Sequence, residues 1–336
     1  MKNVNKNPIL KIFLWVAAGA FLLALPWVMP NIYYLYIMNL AGIYSMIVVG
    51  LNLLSGYAGL VSMGQAGFYA VGAYVSGLLM LRAHLSFWLA APLGALASGL
   101  CGVLIGTPTI RLSGPYLVLA TVGFGEIVRL ILLNWIPVTR GAAGLTGVPS
   151  PSIFGYSLYT NHHFYYLILT VLALGVYVAN RIAGSKIGRT FHSIREDSLA
   201  AEAMGVKVSQ YKISAFVISA VYAGLAGALF VSFAGVSSPD NFTFDDSVGF
   251  LAMSVVGGNA SIYGGLLGAF ALTMLSELLR VFRDFRLIIY GLILVATVIY
   301  MPQGLYGLIR KLPGITTRNK PIPNREVSKR DVKHGG

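Results

Sequence analysis

Of 336 residues, 57% are hydrophobic and 10% charged, far below the roughly 25% charged residues of a soluble domain. With a mean hydropathy of +0.75, this excludes an ordinary soluble domain and indicates a polytopic membrane protein. The single cysteine, Cys101, excludes an intramolecular disulfide and a CxxC metal site, and the net charge of +13 comes without an aromatic-interleaved basic domain, which argues against nucleic acid as a partner.

Backbone polar groups in lipid must be satisfied within the chain, and long apolar runs rich in Gly and Ala favour helices over the alternating pattern of a barrel. The fold class is therefore all-α, a bundle of transmembrane helices. Lys2, Lys6 and Lys11 precede an apolar run over 12–29; at about 18 residues, with no small-x-small cleavage site after it, it is expected to be a retained span rather than a signal peptide. A second span covers 32–54. From Ser55 to Gly67 follows a segment with Gly at 56, 59, 64 and 67 together with Ser62 and Gln65. Such a segment breaks helical backbone near membrane depth, so it either lines a watery passage or lets helices approach closely.

Spans are expected over 68–81, 88–107 and 116–136. The last contains Glu126 and Arg129, three residues apart and so on one helical face. Ionisable groups at depth are paired or solvated; this pair is a neutralised bridge or part of an ion relay. Residues 137–163 are rich in Gly, Pro, Ser and Thr and predict a loop, followed by a span over 164–180. The polar stretch Ile187 to Lys212 predicts a short helix: Asp197 or Ser198 can cap it, Leu199 to Met204 contains three alanines, and Gly205 can stop it. Ala200 and Ala201 leave little bulk, and Arg195, Glu196 and Glu202 place charge at the rim, as a docking helix would; the other reading is a solvated connection.

A span over 213–235 carries the small-residue run Ala223 to Ala228, suited to close helix contact. The apolar run 248–256 is too short to cross unless Gly257 to Gly265 continues it, so a second broken segment is expected here. Spans over 266–281 and 287–301 bring the total to about ten crossings. The Pro-rich basic tail, 310–336, is expected to be disordered. Residues 1–309 then form one transmembrane domain with a connecting loop at 183–212. With the N-terminus inside, 18 of the 24 Lys and Arg fall on the cytoplasmic side and five on the other, which puts both termini and the docking stretch in the cytoplasm.

No GxxxxGK[ST], HExxH or GxSxG occurs, so ATP hydrolysis and the common hydrolase chemistries are not expected, and neither cofactor nor metal is implied. His162 and His163 have no further ligands nearby in sequence.

Three stretches together carry a family resemblance: Leu51 to Phe68, Arg111 to Tyr116 with Thr121 to Arg129, and Ile194 to Gly205. In order and spacing they resemble the LivM-type permease subunit of branched-chain amino acid ABC importers of the bacterial inner membrane. The resemblance runs from about residue 39 to 307 and implies a second permease of the same family, two cytoplasmic ATPases and a periplasmic substrate-binding protein. It implies that Arg195, Glu196, Ala200, Ala201, Glu202 and Gly205 belong to the ATPase contact. Many importer permeases carry Glu-Ala-Ala with Gly four residues on; Ala201 and Gly205 keep that spacing here, while Leu199 stands in place of the acid. The expected passage is mostly apolar, with Asn52, Ser62, Gly64, Gln65, Gly67, Glu126 and Arg129 along it. The expected cargo is Leu, Ile or Val, with urea or short amides as the alternative. A stand-alone secondary transporter or channel using Glu126 and Arg129 is the competing class.

Overall fold

The computed structural model describes residues 25–27, 31–109, 112, 114–153 and 156–279, with 291–292, 295, 304–305 and 307. The chain is helical throughout its long elements: α1 (Ile32–Leu51), α2 (Gln65–Arg82), α3 (Phe87–Thr109), α4 (Pro115–Asn134), α5 (Asn161–Gly184), α6 (Lys186–Glu196), α7 (Ser198–Ala203), α8 (Val208–Ala234), α9 (Phe244–Gly257) and α10 (Ile262–Leu278). Among the described residues five helical stretches are long and apolar enough to cross a membrane: Ile32–Tyr57, Phe87–Thr109, Pro115–Asn134, Asn161–Gly184 and Val208–Ala234. The expected spans at 68–81, 248–256 and 266–281 fall on α2, α9 and α10, which are shorter or less apolar. The expected spans at 12–29 and 287–301 and the tail lie outside the described residues, so the expected total of about ten crossings is not established by the described helices.

α1 and α8 form the middle of the bundle, with α2 and α3 packed on one side of α8 and α5, α9 and α10 gathered around α1; α4 leans mainly on α2. Glycine makes the central contacts close. A Cβ at Gly72 of α2 would lie 2.2 Å from the Gly224 carbonyl oxygen of α8, so the small-residue run expected at 223–228 is the surface on which α2 and α3 sit. Valine at Gly72 is expected to lower recovery of folded protein from detergent several-fold, since overpacking a close helix contact costs about 1–3 kcal/mol; wild-type recovery and melting temperature would show that the two helices can part freely. On α3, Leu89, Leu93, Leu96, Leu100 and Leu104 follow helical spacing and are all exposed, an apolar stripe that suits lipid.

The expected loop at 137–163 is more ordered than its composition predicts. A four-residue helix, Ile136–Thr139, continues from α4, β1 (Leu145–Thr146) pairs antiparallel with β4 (Val236–Ser237), and β2 (Ser152–Ile153) pairs with β3 (Tyr156–Ser157). The Trp88 indole N–H donates to the Ser152 carbonyl at 2.9 Å. α5 then begins at Asn161, with the Thr160 side chain as its cap, because a cap residue in the loop satisfies donors that the helix leaves free. Where one short helix was expected in 187–212, there are two, α6 and α7, and α8 starts already at Val208. Sequence reading missed α6 because its buried positions, Gly188, Phe191 and Ile194, form a narrow stripe in an otherwise polar run.

Candidate functional site

The helix begun by α1 does not stop at Leu51 but loosens into a π-helical turn, Asn52–Tyr57. Widened turns of this kind free backbone groups and concentrate at functional sites. After it the chain runs without regular structure until α2 starts at Gln65, as the glycine-rich segment predicts. The second interruption is also present: α9 ends at Gly257, Gly258 has φ +124, Ala260 has φ +65, and α10 begins after the Ser261 cap.

The two interruptions, far apart in sequence, are joined through Asn52. Its Nδ2 donates to the Ser261 carbonyl at 3.0 Å and, more weakly, to that of Gly258 at 3.4 Å, while its Oδ1 accepts from the Ala260 N–H at 2.9 Å. A fully buried amide that satisfies backbone groups of a broken helix holds both breaks in one register. Two more of the polar residues expected along the passage, Ser62 and Gln65, are hydrogen-bonded nearby. Ser62 Oγ accepts from the Gly64 N–H at 3.4 Å, and Gln65 Nε2 donates to Ser219 Oγ at 3.0 Å. Asn52, Ser62 and Gln65 are fully buried.

Gly64 and Gly67 are where the first break meets α4. A Cβ at Gly64 would lie 2.4 Å from the Thr121 carbonyl oxygen, and one at Gly67 2.9 Å from the Gly125 Cα. The Met63 N–H donates to Thr121 Oγ1 at 3.1 Å, and the Ala66 N–H to Ser247 Oγ at 3.0 Å. Thr121 lies within one of the family-like stretches; Ser219, one serine in an apolar run, and Ser247, at the end of a polar connection after Asp245 and Asp246, gave no sequence signal because each acts only through its tertiary neighbour.

Glu126 and Arg129 sit further along α4, apart from that cluster. Arg129 Nη2 donates to Glu126 Oε1 at 2.6 Å, and its Nε to Oε1 at 3.0 Å and Oε2 at 3.1 Å; Asp240 lies 3.9 Å from Nη1. The two side chains are 40% and 25% exposed, and the neighbouring Asp240 lies in the connection that follows α8.

On the side carrying α6 and α7, a cavity of about 640 Å³ opens between the first break (Ala58 to Val61), the start of α4 (Gly114 to Leu119) and residues Ile194, Arg195, Ser198 and Lys212 of α6 to α8. The Asp197 side chain accepts from the N–H groups of Leu199 at 2.9 Å and Ala200 at 3.0 Å, so of the two caps expected Asp197 is the one used. Gly205, at φ +83, ends α7, its N–H donating to the Glu202 carbonyl at 2.9 Å and that of Val206 to the Ala201 carbonyl at 3.1 Å, a conformation that favours glycine. Ala201 is buried against Ile194 and Val208 of its own chain. Glu196, Ala200, Glu202 and Gly205 are exposed, and Leu199 and Met204, 77% and 85% exposed, are the large apolar side chains of this tip.

Residues 33–298 match the family described as branched-chain amino acid transport system, permease component. The high-affinity branched-chain amino acid transport system permease protein LivM of Salmonella typhimurium is 37% identical over 291 residues, which cover 80% of this chain and 68% of that protein. LivM of Escherichia coli is 36% identical, over 82% of this chain and 70% of its own. The corresponding LivH protein of Salmonella typhimurium is 24% identical, over 80% and 92%. No solved structure matches the chain. Broken helices joined at a buried amide, a short capped segment with an apolar tip and a match over most of the length agree, and the chain belongs to the family of branched-chain amino acid transport system permease components.

Proposed function

We propose that this chain is the permease subunit of an ABC importer that moves leucine, isoleucine and valine inward across the bacterial inner membrane. It pairs with a second permease of the same family, receives substrate from a periplasmic binding protein, and is driven by two cytoplasmic ATPases; the chain itself catalyses nothing. The match to LivM and LivH proteins supports the cargo. The observation that carries the coupling is the α7 tip, where Leu199 and Met204 stand out from a six-residue helix. Apolar side chains presented in this way, with Glu196 and Glu202 at the rim, fit a cleft on a soluble partner. The excess of Lys and Arg in 181–212 supports a cytoplasmic location for this side, and the basic residues near both ends support the same side for the termini.

The Glu126–Arg129 pair fits a structural bridge on the face of α4 turned toward the second permease or the passage. Its donors and acceptors already satisfy each other, and an importer loaded by a binding protein needs no ion relay. Glu126→Gln is accordingly expected to retain at least half of wild-type uptake, because the amide oxygen still accepts from Arg129. Loss of a proton or sodium dependence in that variant would favour the stand-alone carrier. The decisive experiment reconstitutes both permeases and the ATPases in proteoliposomes, adds binding protein, and follows labelled leucine. Uptake should require ATP and should be competed by isoleucine and valine but not by urea; uptake without ATPases would overturn the assignment.

A further inference from the structure

We infer that Arg195 is the positioning residue through which the α6–α7 segment moves the interrupted end of α1; this rests on reading α7 as the ATPase contact. Arg195 stands in the last turn of α6, two residues before the Asp197 cap that starts α7, so a displacement of α7 is carried to it directly. Its Nη1 donates to the Gly56 carbonyl in the π-helical turn. Its stem lies along the chain just beyond: a Cβ at Gly59, where φ is +72, would be 2.9 Å from Arg195 Cγ and 3.2 Å from its Cβ. Gly56 belongs to the final turn of its helix, whose carbonyls have no N–H ahead of them to accept from. The guanidinium supplies the missing donor and places positive charge where the helix dipole favours it.

The same glycine touches the second break on its other side. A Cβ at Gly56 would lie 2.1 Å from Asn52 Oδ1 and 2.5 Å from the Ala260 nitrogen. One short stretch of backbone is thus held between the coupling arginine and the Asn52 junction that joins 52–57 to 258–261. Nearby acids are otherwise engaged: Glu196 Oε1 lies 3.6 Å from His192 Nδ1, and Asp197 caps α7. Among the described residues Arg195 makes no ion pair, and the hydrogen bond its guanidinium makes is to the break. A shift of α6 therefore pulls on the Gly56 peptide, and through Asn52 on the start of α10, the two interruptions of the bundle.

The test compares wild type, Arg195→Met and Arg195→Lys in the assembled importer, reading substrate imported per ATP hydrolysed. Methionine keeps an unbranched apolar stem and removes every donor; lysine keeps charge and reach but loses the planar fork. With ATPases still co-purifying, the ratio is expected to fall about tenfold or more in the methionine variant, the scale of one charge-assisted hydrogen bond, and to fall less in the lysine variant. A wild-type ratio in an assembled Arg195→Met complex overturns the arginine link and leaves the importer reading intact. Failure of Arg195→Met to assemble, beside a wild-type ratio in Arg195→Lys, assigns Arg195 to folding and also overturns it. Absence of ATPases from the wild-type complex, or uptake that needs no ATP, overturns the importer reading itself.

Discussion

Aspartate at both Leu199 and Met204 is expected to strip the ATPases from the solubilised complex and to abolish ATP-driven uptake while the permease remains folded in the membrane. Both side chains are more than three-quarters exposed, so the substitutions cost this chain no core. Seating two unpaired carboxylates in an apolar cleft removes two anchors, each worth about 2 kcal/mol or more in docking, and introduces uncompensated buried charge. Affinity should fall by several hundredfold or more, read as loss of ATPase co-purification at constant permease yield. Retention of ATPases and uptake in the double variant would remove α7 from the interface. Ala201 is a poorer site for the same test, because it packs on Ile194 and Val208 and bulk there disturbs the coupling segment before any partner is met.

Leucine at Gly64 is expected to reduce uptake to a few per cent of wild type, with the binding protein's affinity for substrate unchanged. The added Cβ alone would lie 2.4 Å from the Thr121 carbonyl oxygen, and backbone, unlike the end of a side chain, cannot turn aside. α4 would be levered away from the first break, breaking the bond from the Met63 N–H to Thr121 Oγ1 and misplacing the face that carries Glu126 and Arg129. Overpacking of this kind costs about 1–3 kcal/mol, enough to shift a balance between closed and open forms by about 5- to 150-fold. Leucine at Gly67, against the Gly125 Cα at 2.9 Å, should act in the same direction and less strongly. Uptake above half of wild type in the Gly64 variant, at equal membrane levels, would take this contact out of the transport path.

Composition indicated a membrane protein, because a chain with so few charges has little soluble surface to present, and long apolar runs without strand alternation indicated helices. Local chemistry marked both interruptions, where Gly is mixed with Ser, Asn and Gln between apolar runs, and it narrowed the cap of α7 to Asp197 or Ser198 and its stop to Gly205, which depend on neighbouring backbone. The small-residue run at 223–228 announced a close helix contact, but not that Gly72 was its partner. Tertiary structure alone decided that the two breaks meet through Asn52, that Gln65 finds Ser219, that Arg195 reaches Gly56 while Ala201 turns inward, and that the Glu126–Arg129 pair stands apart from the cluster around Gly64. These are contacts between residues far apart in the chain, and an isolated Asn, Ser or Arg carries no record in its neighbours of which distant carbonyl it will satisfy. The partner is chosen when helices pack, because a buried polar group left without one costs more than any local preference can offset.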